Sequence, residues 1–318
     1  MKTTSLHIKT PLIESAPLSR KVKGSVWLKV EALQPTGSFK LRGVGHACRR
    51  YASEGAKRFI SSSGGNAGIA VAYAGKKLGV AVTVVIPHST PQRSIELIRQ
   101  EPANVVVHGR TWQESHEYAV SLLDDQARYL HPFDDPLLWE GHATIMDEVI
   151  AAGLVPDAIV LSVGGGGLLC GVLEGLRRNN MAGTPVWAIE TEGADSLAKS
   201  LKAGRPVELD DIRSLATSLG AKKIAQTAYD WSRTAGVVSH VVSDRAAVDA
   251  CLQFTADHRL LVEPACGASL AAVYEPVADL SSKQNILVII CGGAGVTIQQ
   301  LQAWDRQLDQ KRPSSVQK

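Results

Sequence analysis

Ala158-Ile-Val-Leu-Ser-Val-Gly-Gly-Gly-Gly-Leu-Leu-Cys170 runs from a buried-strand pattern through four consecutive glycines into a helical stretch beginning near Leu168. Without Cβ atoms, Gly164, Gly165, Gly166 and Gly167 can turn successive backbone N–H groups toward one anion, and the positive end of the following helix adds attraction. A flexible turn explains one glycine. Four in a row each cost entropy on ordering, so a bound phosphate group is the better reason for them. No Gly-Lys-Ser/Thr follows the run, which argues against a nucleotide triphosphate loop. A dinucleotide fingerprint needs a third glycine where Leu169 or Cys170 stands. Glu190, ending the strand-like Val186-Trp-Ala-Ile-Glu190, nevertheless sits where a ribose-binding acid would, so a nicotinamide-dependent oxidoreductase remains the second reading.

With 318 residues the chain is long enough for two modest domains or one large α/β unit. Its 34 basic and 31 acidic residues are balanced and dispersed, which argues against a nucleic-acid partner and for a small anionic one. Met1 to Ile8 lacks an apolar signal core, and no stretch reaches the roughly 18 apolar residues of a membrane helix, so a cytoplasmic protein with no membrane partner is expected. Cys48, Cys170, Cys251, Cys266 and Cys291 are odd in number and show no Cys-x-x-Cys pairing, against a disulfide framework or zinc site.

Along the chain, Lys21 to Val30 reads as a strand. Pro35, Thr36, Gly37 and Ser38 are turn and cap formers, placing Phe39 and Lys40 in the first turn of a helix reaching about Tyr51. An ammonium near a helix N-terminus and apolar neighbours is pushed toward its neutral, nucleophilic form, although a solvated helix lysine fits the position too. Lys57 to Ser63 enters Gly64-Gly-Asn66-Ala-Gly68, a second anion-ready turn before a helix from Ile69. There Asn66 either caps the helix or meets a ligand. Helices at 91–99, 111–124 and 136–152 then alternate with strands at 80–87 and 104–108 and an extended piece near Tyr129. A mainly parallel sheet follows from that order. His131-Pro-Phe-Asp-Asp-Pro136 reads as a passage between domains, and His142 as a packed histidine. After the glycines, 185–190 and 237–242 are strands, 203–211 a surface excursion and 246–258 a helix. Asn285 to Cys291 repeats the buried-strand-to-glycine pattern, and Asp309 to Lys318 reads as a frayed tail.

Three stretches, Pro35-Thr-Gly-Ser-Phe-Lys40-Leu-Arg-Gly43, Ser62-Ser-Gly-Gly-Asn66-Ala-Gly68 and Gly164-Gly-Gly-Gly-Leu168, together resemble pyridoxal-phosphate enzymes of the tryptophan synthase β-subunit fold, most closely the serine/threonine dehydratases. The resemblance runs from Pro11 to Gly293 and includes Trp139-Glu-Gly-His-Ala143 and Glu190-Thr-Glu-Gly-Ala-Asp-Ser196. It implies an α/β fold with two open, twisted, mainly parallel sheets. A large cofactor-binding domain of residues 1–34 and 137–318 would hold a small domain of residues 35–136, commonly as a homodimer.

The resemblance also assigns roles. Lys40, next to Phe39, would carry pyridoxal 5'-phosphate as a Schiff base. Gly164 to Gly167 and Leu168 would hold its phosphate, Asn66 would face the ring hydroxyl, and Cys291 the ring nitrogen. Ser63, Asn66 and Ala67 would bind the substrate carboxylate. A monovalent or divalent cation would sit at Glu190, Ala194, Ser196 and Leu219, with Gly164 and Ala221 nearby. The implied reaction is dehydration of L-serine or L-threonine to pyruvate or 2-oxobutanoate plus ammonia. In it, the Lys40 amine removes the α-proton and the cofactor phosphate protonates the departing hydroxyl. Serine racemase, threonine synthase and β-replacement activities stay open within the fold. Two departures are visible: Gly64 stands where several relatives carry alanine, and no regulatory domain follows Cys291.

Overall fold

A computed structural model describes residues 5–276 and 278–310. Within them the chain forms strands β1 (Leu12–Glu14), β2 (Ser25–Lys29), β3 (Arg58–Ser61), β4 (Ala81–Ile86), β5 (Ala103–Val107), β6 (Ala127–Tyr129), β7 (Ala158–Ser162), β8 (Val186–Thr191), β9 (Val237–Val242) and β10 (Asn285–Ile289). They make two sheets. Six strands run in the order β1-β2-β10-β7-β8-β9 and four in the order β5-β4-β3-β6. Every pairing is parallel except the β1–β2 edge. Helices cover the strands, so β7 and β8 are buried along their whole length and read as unbroken apolar runs rather than alternating ones.

Register decides where the site lies. Parallel pairing of Leu287 with Ile159 and of Ile289 with Lys29 sets the carboxyl ends of β2, β7 and β10 side by side. The loops that follow, holding Lys40, the four glycines and Cys291, therefore meet at one sheet edge, where open α/β sheets collect ligands.

Lys40 opens the helix Lys40–Ser53, which packs on the helices Asn66–Leu78 and Pro136–Ala151. Its anchor is Arg42. That fully buried guanidinium donates to Glu31 at 2.6 Å and to Glu148 at 2.7 Å, while Lys29 donates to Glu148 at 2.5 Å. Removing one member would strand a buried charge, a change that costs about 3–5 kcal/mol.

Several expected boundaries move for identifiable reasons. The strand expected from Lys21 begins only at Ser25, because Gly24 lies directly on the Gln284 backbone and Ser25 N–H donates to the Gln284 carbonyl at 2.7 Å. The helix expected from Ile69 starts at Asn66. Residues 203–211 are not wholly a surface excursion: Leu209 is buried and its N–H donates to the Lys222 carbonyl. Asp309 and Gln310 end the helix Ile298–Gln310, and Asp309 pairs with Arg245, so the expected frayed tail does not begin there. The rest of that segment, 311–318, lies outside the described residues.

Candidate active site

The turn before Lys40 is stitched to the loop after β10. Ser38 pairs with Gly292 in an antiparallel bridge, Phe39 N–H donates to the Cys291 carbonyl at 3.1 Å, and Gly293 N–H donates to the Gly37 carbonyl at 2.8 Å. Gly292 has φ +91° and Gly293 φ +131°, conformations that side chains resist. Lys40 Nζ donates to the Pro132 carbonyl at 2.6 Å. Burial lowers its pKa to about 8, outweighing the opposite pull of Cys291 and Glu263. The Phe39 ring leans on His142, centroids 4.8 Å apart. His142 is fully buried, and neither of its ring nitrogens has a hydrogen-bond partner among the described residues, which fits a packed histidine.

Beyond β7, Gly164, Gly165 and Gly166 lead into the helix Gly167–Arg178, with Gly166 at φ +96° as its N-cap. The chain closes over them. A Cβ on Gly164 would lie 2.9 Å from Leu219 Cα, and one on Gly167 2.7 Å from the Phe133 carbonyl oxygen. On Gly165 it would run into the Phe133 ring, and on Gly166 into the Ala228 methyl. Leu168 is buried one residue inside the helix. His131 to Pro136, expected as an interdomain passage, thus contributes directly: Pro132 touches Lys40 and Phe133 roofs the glycines.

Asn66 does not cap its own helix. Its Nδ2 donates to Glu263 at 2.9 Å and its Oδ1 accepts from Ala294 N–H at 3.1 Å. Asn66 and Ala67 open the helix, so their N–H groups have no acceptor earlier in it. Ser63 Oγ accepts from Gly65 N–H at 3.4 Å and holds the turn. The Gly64 departure has a partner, since a Cβ there would lie 2.7 Å from Thr90 Cγ2. Cys291 is buried, and hydrogen bonding to Cys266 together with burial pushes its thiol well above the usual range. Both effects favour its protonated form.

Glu190 lies fully buried at the end of β8. Its two oxygens accept from Leu197 N–H at 2.8 Å and Ala198 N–H at 2.7 Å, and burial pushes its pKa up to about 8. Nearby, Ser196 Oγ is buried without a partner among the described residues, and Ala194 is buried in the same turn. Leu219 lies against Gly164, and its carbonyl accepts from Ala221 N–H at 2.7 Å. With both oxygens held by a helix start, Glu190 is not free to bind a ribose. No cluster of three or more His, Cys, Asp or Glu side chains able to hold a metal occurs among the described residues.

The family model for pyridoxal-phosphate dependent enzymes matches residues 3–292. The chain belongs to that family. It is similar to human L-serine dehydratase/L-threonine deaminase, at 44% identity over 97% of each chain. Among solved structures it is similar to a fungal L-serine ammonia-lyase from Rhizomucor miehei, with TM-score 0.89 and 32% identity over 96% of this chain and 99% of that one. Maize serine racemase follows with TM-score 0.86 and 25% identity, over 96% of this chain and 94% of that one. The nicotinamide reading falls.

The pocket of this pyridoxal-phosphate enzyme fits its cofactor. Four glycines whose side chains would collide with the surrounding chain precede or open a helix, Pro132 and Phe133 link them to a lysine of lowered pKa, and that lysine faces the Cys291 thiol and Glu263, which holds the Asn66 amide. Reading the sequence missed Pro132, Phe133 and Glu263 as site residues. Glu263-Pro264 at the start of the helix Pro264–Tyr274 was the available signal, an acid set just ahead of a proline-started helix.

Proposed function

We propose that this enzyme is an L-serine/L-threonine ammonia-lyase, releasing pyruvate or 2-oxobutanoate plus ammonia. The observation that carries the reading is the neutral Cys291 thiol beside Lys40, in a chain similar over nearly its full length to L-serine dehydratases. Bound pyridoxal phosphate supplies an electron sink for the bond to Cα. Lys40 Nζ, with its lowered pKa, takes up the α-proton of the hydroxy amino acid. The N–H groups of Gly164 to Gly167 and Leu168 hold the phosphate at the start of their helix. Those at Ser63, Asn66 and Ala67 take the substrate carboxylate, and Phe133 and Leu219 keep water off the glycine loop. Cys291 would offer the ring nitrogen only a weak, uncharged donor.

A cation at Glu190, Ala194, Ser196 and Leu219 belongs to the same proposal. Its support is the Ser196 hydroxyl, buried with no partner among the described residues, near the buried Glu190, oxygen atoms of the kind a hard ion takes. We assign residues 1–34 and 137–318 to a large domain and 35–136 to a small one, and we propose a cytoplasmic homodimer. Among the described residues no helix is long and apolar enough to cross a membrane.

The test is turnover of both amino acids by the loaded parent, Cys291→Ser and Cys291→Asp. The serine variant should retain keto-acid release, and the aspartate variant should lose most of it and gain long-wavelength absorption. Parental turnover and spectrum in a folded, loaded Cys291→Asp enzyme would reject the role of the thiol.

A further inference from the structure

Glu263 precedes the helix Pro264–Tyr274 in the N-cap position, with φ −84° and ψ 163°, yet its side chain does not cap that helix. The carboxyl reaches instead into the site. It accepts from Asn66 Nδ2 at 2.9 Å, and a Cβ on Gly293 would run into it, so glycine at 293 keeps its place open. Lys40, Cys291 and Cys251 face it electrostatically. Burial pushes its pKa up to about 7, against the hydrogen bonds from Ser218 and Asn66 and the charge of Lys40.

The second contact on Asn66 gives Glu263 its meaning. An amide can be turned either way, and two partners of opposite kind fix its sense more firmly than one. Here a carboxyl oxygen requires the NH2 end, and the Ala294 N–H at 3.1 Å requires the oxygen end. The partners stand 197 and 228 residues away along the chain. One hydrogen of the NH2 group is used on Glu263, and the other remains available.

We propose that Glu263 is a positioning residue, locking the Asn66 amide so that it offers the cofactor's ring oxygen an N–H and never its carbonyl. The inference rests on the pyridoxal-phosphate reading of this site. Without Glu263 only the Ala294 N–H still orients the amide, and its carbonyl then opposes an anionic ring oxygen for part of the time. A glutamine retains an acceptor in the same place. Shape and hydrogen bond survive that change while the charge is lost.

The experiment measures the dissociation constant of pyridoxal phosphate from cofactor-free protein by tryptophan fluorescence, with the visible spectrum of each loaded protein. The proteins are the parent, Glu263→Ala, Glu263→Gln, Asn66→Ala and the double variant Asn66→Ala/Glu263→Ala. Loss of one directed hydrogen bond should weaken binding about tenfold in Glu263→Ala and in Asn66→Ala. The double variant should be no weaker than Asn66→Ala alone, because one contact is being removed twice. Glu263→Gln should bind and absorb like the parent. Where Glu263→Ala does not fold, Glu263→Met replaces it, of similar size to glutamine but without the acceptor, and should bind about tenfold more weakly than Glu263→Gln. Parent-like affinity in Glu263→Ala or Glu263→Met, multiplicative losses in the double variant, or equal weakening in Glu263→Gln would each overturn the assignment. A parent that binds no pyridoxal phosphate would overturn the reading beneath it.

Discussion

The backbone N–H of Phe39 donates to the carbonyl of Cys291 at 3.1 Å, tying the residue before Lys40 to the residue that carries the thiol. Main chain thus joins two groups 252 residues apart, and their spacing does not depend on flexible side chains. Gly292 makes the approach possible. It holds φ +91°, and a Cβ there would press on the Gly37 carbonyl and lie 2.8 Å from Ala32 Cα.

Gly292→Ala is therefore expected to lose about 1–3 kcal/mol of stability from backbone strain alone. It should also weaken cofactor binding, because the Lys40 turn and the thiol move apart. Denaturant midpoints and dissociation constants check both, and an alanine variant matching the parent in both would show that the stitch is not under constraint.

Lys40→Ala should fold, retain the glycine cradle and still bind pyridoxal phosphate, but borohydride should no longer fix the cofactor to the chain. Turnover should fall at least about a thousandfold with the loss of the base. In cofactor-free protein, labelling of the Lys40 amine should rise through pH 8, its lowered pKa. The sign follows from burial: the group is protonated and unreactive below that value and free above it. A labelling midpoint at the ordinary lysine pKa, about 10.4, would place the amine in water instead.

Much of this site could be read from the sequence, and the limits have physical causes. Lys40, Asn66, the glycine run and Cys291 each follow an apolar strand and precede or open a helix, a pattern that local periodicity reveals. Phe133 and Glu263 were missed because their roles exist only across the fold. Phe133 matters through rings packed on Gly165, and Glu263 through an amide 197 positions away. Read from its neighbours alone, Asn66 fits capping and ligand binding alike, because nothing local indicates that Glu263 and Ala294 take both ends of its amide. The helices at 226–232 and 264–274 were also missed. The second is so thoroughly buried, from Pro264 to Val273, that it has no polar face to give it a period.

Gly64→Ala should crowd Thr90, whose Cγ2 would lie 2.7 Å from the new methyl. Displacement of the substrate turn should raise KM for serine by about three- to tenfold, since small misplacements of binding groups are costly. Combining it with Thr90→Ala should restore the parental KM. An unimproved double variant would show that the methyl acts through something other than Thr90.

Removal of cations by chelation and dialysis should weaken cofactor retention, because Leu219 touches both the proposed ion site and Gly164. Potassium or magnesium should restore it in the parent and not in Glu190→Ala. A parent indifferent to every added cation after such treatment would remove the ion from the site.

The most direct measurement follows L-serine through the loaded enzyme and quantifies pyruvate, ammonia and D-serine together. Pyruvate and ammonia are expected in equal amounts, with 2-oxobutanoate replacing pyruvate when L-threonine is supplied and little D-serine formed. D-serine as the main product, or release of neither keto acid by cofactor-loaded protein, would contradict the ammonia-lyase assignment.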